Sequence, residues 1–252
     1  PQPVRYNSGA VHLMGTLKGL ENIHQGRNLT VKPFVTAGIA QNREAAGELR
    51  RRPTFPSGDD YDGGVDVKYS LTPSLTLDGT YRTDFAQVEV DQQQVNLTRF
   101  NLFFPEKRDF FLENGAIFGF GNLGNNGNLV PFFSRRIGLN SAGIPIPIVG
   151  GARVTGKAKR FYDVGLIAMK TESSGATPSN NFLVGRLRRN LWRNSYVGGL
   201  VTDRSSTVAG DYNRVYGPDA HFQFLDRLQF DSYFLQSNTP GKSDENHAKR
   251  LE

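Results

Sequence analysis

The sequence predicts an all-β fold: a partial antiparallel transmembrane β-barrel with a short helical or irregular segment folded inward as a plug. Three observations predict it. Apolar and charged residues alternate with a period of two along the chain; short and long connections between the alternating runs take turns; and the stretch 96–113 sets Phe100, Phe103, Phe104, Phe110 and Phe111 among Arg99, Glu106, Lys107, Arg108, Asp109 and Glu113. Period-two alternation is the mark of a strand with two unlike faces. Rings and charges mixed this densely need a surface that buries the rings and still satisfies the ions. The inside of a barrel is such a surface.

Composition agrees. Hydrophobic residues make up 37% of the 252, low for a soluble core of that size, while 28 glycines and 11% aromatics favour strands and turns. No run approaches the ~20 apolar residues of a membrane-spanning helix. A β-barrel remains open, because its lipid-facing residues alternate with lumen-facing ones and keep the average low, and the mean hydropathy of −0.46 does not separate the two cases. With no cysteine there is no disulfide framework, thiolate metal site or cysteine nucleophile. The net charge of +6 is spread along the chain, with small clusters at 50–52 and 186–189 but no aromatic interleaving and no nucleic-acid-binding module. Nucleic acid is therefore not an expected partner.

Taken in order, residues 1–27 are a lead-in segment, and 28–252 form the partial barrel with a plug-like insertion at about 84–148. A weaker strand covers 29–40. Val65, Val67 and Tyr69 then alternate with Asp66, Lys68 and Ser70, and Leu75, Leu77, Gly79 and Tyr81 with Thr76, Asp78, Thr80 and Arg82. Beyond the insertion, Ala152, Val154, Gly156 and Ala158 oppose Arg153, Thr155 and Lys157. Weaker strands cover 161–170, 182–189, 196–202 and 220–225, and Leu228, Phe230 and Phe234 oppose Arg227, Gln229 and Asp231. Strands therefore number about nine, and an even-stranded closed barrel needs more chain. The start at Pro1, without initiator Met or signal peptide, also suggests a piece of a longer protein.

The connections at 72–74, 159–160, 190–194 and 226 are tight, whereas 41–62, 84–149, 171–181, 204–219 and the tail after Gln236 are long and polar. Outer-membrane barrels keep short turns on the periplasmic side and long loops outside. A soluble sandwich also alternates, but several runs here reach the ~9 to 11 residues that cross a bilayer, against about 5 to 6 for an ordinary soluble strand. Trp192, at a short turn near Tyr196, suits an interfacial aromatic girdle as well as the cap of a sandwich core.

Within the insertion, Asp91 with Gln94 offers a helix N-cap and capping partner, Leu97, Phe100 and Phe104 share a helical face, and Pro105 stops the run. A short helix ending at Phe104 is expected. The segment leaves and re-enters at the long-loop end and can drop into the lumen. There Arg99, Lys107 and Arg108 can pair with Glu89, Asp91, Glu106 and Glu113, and with lumen-facing charges such as Arg153. The aromatic cluster Phe100, Phe103, Phe104, Phe110 and Phe111 would pack the plug. A fixed ion-pair network is the plain reading of these charges; a ligand site requires that they line a passage.

Several motifs stand near the residues that carry a family resemblance. Asp84-Phe85-Ala86-Gln87-Val88-Glu89-Val90-Asp91, Asn96-Leu97-Thr98-Arg99-Phe100, Phe104-Pro105-Glu106-Lys107-Arg108, Phe110-Phe111-Leu112-Glu113 and Ser134-Arg135-Arg136-Ile137-Gly138 resemble an uncharacterised bacterial family. In it a carbohydrate-binding-module family-9-like domain precedes a C-terminal domain of unknown function, regarded as an outer-membrane β-barrel. The resemblance spans about 19–202. It implies a bacterial outer-membrane location in the cell envelope, contact with outer-membrane lipid, and an N-terminal carbohydrate-binding-like domain in the full-length protein. The expected role is passage, docking or handling of a polymer or glycan. The binding module is absent here, so sugar binding transfers to no residue of this chain, and Asp109 stands where the family pattern has Pro, which bears on local rigidity. The family supplies no catalytic residues.

The alternatives are a carbohydrate-active envelope hydrolase and a soluble β-rich carbohydrate-binding module. A hydrolase needs two carboxyls about 5 to 9.5 Å apart across a cleft, and Glu106 with Glu113, or Asp59, Asp60 and Asp62, are the pairs on offer. Asp59 to Gly63 lacks the remaining ligands of a helical calcium loop and suits a polar surface loop. Gly119-Phe120-Gly121-Asn122-Leu123-Gly124 spells a dinucleotide fingerprint without the strand and helix that give it meaning, and reads as a flexible loop. His12, His24, His221 and His247 show no ligand spacing, and no serine sits in a nucleophile elbow. No catalytic residue, metal site or cofactor is expected.

Overall fold

Ten strands hydrogen-bond in sequence order into one antiparallel meander, β1 to β10, with each strand beside its neighbours in the chain. The computed structural model describes residues 28–40, 58–82, 106–121, 129–140, 146–192, 194–224, 228–241 and 247–251. The strands are β1 (Leu29–Ala40), β2 (Gly58–Thr72), β3 (Leu75–Tyr81), β4 (Ile148–Ala158), β5 (Tyr162–Thr171), β6 (Asn180–Asn190), β7 (Tyr196–Ser206), β8 (Tyr212–Phe224), β9 (Leu228–Asn238) and β10 (His247–Leu251). Among the described residues β1 pairs with β2 alone and β10 with β9 alone, so the sheet is not closed into a barrel. The all-β antiparallel expectation is met at that level.

Direct cross-strand partners share a face, and the register sorts the faces by chemistry. One row runs Lys68, Asp78, Arg153, Ile167, Val184, Thr202 and Val215. The other runs Tyr69, Leu77, Val154, Leu166, Gly185, Val201 and Tyr216. The first face holds the buried charges of the wall: Arg153 is 1% exposed and Arg186 2%, with Asp78, Asp163 and Asp219 buried beside them. The second is apolar and open, with Leu166 45% exposed and Val201 52%. This inverts the usual soluble arrangement.

The first face is packed against described residues of the chain between β3 and β4. The described parts of that chain hold a one-turn helix, α1 (Asp109–Leu112), and two 3-10 turns, Gly115–Phe118 and Ser134–Arg136. Phe111, Phe118, Phe120 and Ile137 from this insert pack with Ile148, Ile167, Met169, Val184, Leu200 and Leu235 of the wall. Gly165 makes the approach possible, since a Cβ there would lie 2.8 Å from the Phe118 ring.

Four expectations need correction. Among the described residues the strands number ten, because β10 lies in what reads as a polar tail. Asp59, Asp60 and Asp62 stand in β2, paired with β1, and not in a surface loop. β7 and β8 reach well into the supposed loop at 204–219. These errors share a cause: hydrogen-bonded ladders continue where both faces turn polar, so the alternation fades before the strand does. The Gly119–Gly121 part of the supposed flexible loop is pinned to the wall through Phe120 and Gly121, both buried. The predicted helix ending at Phe104 and the lead-in 1–27 lie outside the described residues.

Candidate functional site

The insert meets the charged face of the wall at two clamps. At the first, Asp78 on β3 and Arg153 on β4 are direct partners. Arg153 donates to Asp78 Oδ2 from Nη2 at 2.7 Å and from Nε at 3.2 Å. Its remaining Nη1 donates to the Glu113 carbonyl at 2.7 Å, at the end of α1, and Phe110 lies 5.1 Å from the guanidinium. Asn114 Nδ2 donates to Thr155 Oγ1 at 3.4 Å, and Lys68 reaches the Glu113 carboxylate. One buried arginine thus satisfies the wall and the insert together, which offsets the cost of removing its charge from water.

The second clamp is built from Arg186 on β6 and Asp219 on β8. They make a two-point ion pair, with Nη2 2.7 Å from Oδ2, and Oδ2 also accepts the Gly121 N–H at 2.9 Å. Phe120 packs 5.6 Å from the Arg186 guanidinium and 5.8 Å from the Tyr233 ring. Paired aromatic and guanidinium contacts of this kind strengthen as water is excluded.

Between the clamps the insert is braced from within. Arg108 donates to Glu106 Oε1 from Nε at 2.9 Å and to Oε2 from Nη2 at 2.7 Å; it also reaches the carbonyls of Ile137 at 2.7 Å and Ser134 at 2.8 Å. The Ser134 hydroxyl donates to Glu106 Oε2 at 2.8 Å, and the backbone N–H groups of Lys107 and Arg108 donate to Oε1, both at 3.1 Å. Burial works to raise the pKa of Glu106. The hydrogen bonds and charge of Arg108, with Ser134, outweigh it and hold the carboxyl below its usual value. Arg108 also lies 4.2 Å over the Phe111 ring, and Phe110 and Phe111 meet edge to face at 5.0 Å.

Toward the short turns the same face carries a further polar cluster. Asp163 accepts from Lys157 at 2.8 Å, from Arg188 at 2.7 and 3.0 Å and from Asn190 at 2.9 Å. His221 and Asp231 approach to 2.7 Å, and Tyr196 packs 5.7 Å from the His221 ring.

Of the residues singled out in the sequence, Glu106, Arg108, Glu113 and Arg153 with Phe110 and Phe111 come together at the insert and its first clamp. Lys107 lies beside Glu106 and contributes its backbone N–H; Asp109 opens α1 and is exposed. Glu113 contacts Arg153 through its carbonyl, while its carboxylate turns to Lys68. Glu89, Asp91, Arg99, Phe100, Phe103 and Phe104 lie outside the described residues. Sequence reasoning missed Phe118, Phe120 and the Arg186–Asp219 pair. The basic cluster at 186–189 was visible in the sequence, but the partner 33 residues away emerges only from the register. Of the carboxyls offered for hydrolysis, Glu106 is engaged with Arg108 and Glu113 with Lys68, while the side chains of Asp59, Asp60 and Asp62 lie outside the described residues.

On the open face, Trp192 lies 6.2 Å from Phe222, which stacks with Phe224 at 6.1 Å and neighbours Phe230 at 6.4 Å. All belong to the short-turn end. Tyr81 and Tyr212 stand on the same face toward the long-loop end.

No curated protein and no solved structure matches the chain. A family model does match it: residues 28–148, which run from β1 through the whole insert to the first residue of β4, fit the model described as a domain of unknown function, DUF5916.

Proposed function

We propose that this chain forms part of the wall, and the plug, of a bacterial outer-membrane β-barrel that serves the passage, docking or handling of a polymer or glycan at the cell envelope. The observation that carries the reading is the contrast of the two faces: one buries the Asp78–Arg153 and Arg186–Asp219 pairs, and the other leaves large apolar side chains open. Leu166, Leu187, Val201, Tyr216 and Phe234 stand uncovered on one continuous surface, which is costly in water and favourable against hydrocarbon.

The dimensions support it. On β6 the outward residues run from Asn181 through Leu183, Gly185 and Leu187 to Arg189. Eight steps at ~3.4 Å make about 27 Å along the strand, or about 20 Å in height at the ~40° tilt of a membrane strand, close to the ~25 Å band of such barrels. The outward charges Lys170, Asp203 and Arg214 mark one border of the band, and Arg189 the other. Aromatics gather near both borders, as interfacial girdles do.

The role of the insert follows from its anchors. It fills the covered side at the level of Ile167, Val184 and Leu200, where an open lumen would run. In this reading it is a constriction held by Arg153 and Arg186, and the polar cluster around Asp163 and His221 lines the space beneath it. The test is the behaviour of the full-length protein: recovery in the outer-membrane fraction, need for detergent, and gel migration that changes on heating. A protein recovered in buffer without detergent would refute the proposal.

A further inference from the structure

Among the described residues, the open face carries a hollow. It lies beside the register shift between Ile148 and Gly150, where β4 meets β5. Gly150, Ala152 and Ala168 present almost no side chain there, while Tyr81 and Leu183, 56% and 46% exposed, stand on either side. The result is a groove of about 320 Å³ lined by Gly150, Ala168, Lys170, Asn181, Leu183 and Asp203. Gly150 is fixed as glycine by the neighbouring strand, because a Cβ there would lie 2.8 Å from the Thr80 carbonyl.

The charges at its mouth are unequal. Asp203 is neutralised by Arg214, whose Nε donates to Oδ1 at 2.7 Å. Lys170 is exposed and has no acidic or hydrogen-bonding partner among the described residues. The groove is therefore apolar along its floor and carries one uncompensated positive charge at the border of the apolar band. A flexible hydrocarbon chain attached to an anionic head has the complementary shape and charge.

We propose that this groove is a docking site for one acyl chain of an anionic, phosphate-bearing membrane lipid, with the Lys170 ammonium at the phosphate. The site rests on the membrane reading above. It gives the outer wall a fixed lipid contact, distinct from the loose annulus around the rest of the band.

Native mass spectrometry of the detergent-folded protein, titrated with phosphatidylglycerol or with phosphatidylcholine of the same chain length, tests it. The expected result is one phosphatidylglycerol adduct about fivefold tighter than the phosphatidylcholine adduct, the worth of one lysine beside an anionic head. Lys170→Gln should remove that preference, and Ala168→Phe, which fills the groove with another apolar side chain, should weaken both adducts while heat-modifiable migration stays unchanged. Equal affinity for the two lipids in folded protein, or a preference that survives Lys170→Gln, overturns the site alone. A chain that folds in buffer without detergent and takes up neither lipid overturns the site and the membrane reading together.

Discussion

Arg153 and Asp78 face each other across β4 and β3, and the same guanidinium that binds the Asp78 carboxylate holds the Glu113 carbonyl of the insert. Wall and insert are thus joined through one buried cation. Removing it should leave Asp78 uncompensated as well as freeing the insert. Arg153→Ala is expected to cost about 3 to 5 kcal/mol, the range for breaking a buried pair from one side. The double change Asp78→Ala with Arg153→Ala should cost less than Arg153→Ala alone. Urea unfolding of the reconstituted protein measures both.

Gly165 permits the contact between the wall and Phe118. Gly165→Val should displace the ring and expose the insert to limited proteolysis, with the strands still protected. Gly185 is the control: a Cβ there meets nothing within 4 Å, so Gly185→Ala should leave cleavage unchanged.

Glu106 sets a pH dependence. Its folded pKa lies below its usual carboxylate value, so in the window between the two the unfolded chain binds more protons and stability rises with pH. The contribution is present above the usual value and is lost as pH falls through the lowered one. Protease protection of the insert should therefore drop on acidification through that window. Glu106→Gln should flatten this part of the profile.

The wall offers a test that separates membrane from water. Leu166→Arg, in the middle of the outward band, should cost about 2 to 4 kcal/mol if that face meets lipid. The same change at a site open to water would alter stability by less than about 0.5 kcal/mol. Chemical unfolding from vesicles reads the difference.

Much of this arrangement was legible from alternation alone. Lys68, Asp78 and Arg153 fell on one face and Tyr69, Leu77 and Val154 on the other, and the structure keeps those rows. Strand ends were not legible, because the ladder at Asp203 and Arg214 continues after the apolar signal stops. β10 failed for a related reason: His247, Lys249 and Arg250 give a short edge strand the look of a tail. At the site, the charges around Phe110 and Phe111 flagged the insert, whereas its anchoring depended on register. Nothing near Gly121 in sequence points to Asp219, and the glycine-rich motif that drew notice as a decoy supplies a backbone donor to the second clamp.

The central claim is that the open apolar face touches hydrocarbon. The chain has no cysteine, so single-cysteine spin labels can be placed without background. In reconstituted protein, labels at Leu166, Leu187 and Val201 should be reached by oxygen dissolved in the bilayer and shielded from a water-soluble nickel relaxant, while a label at Thr202, on the opposite face, should not show that lipid signature. Outward labels relaxed by nickel as strongly as a label in an exposed loop would contradict the account.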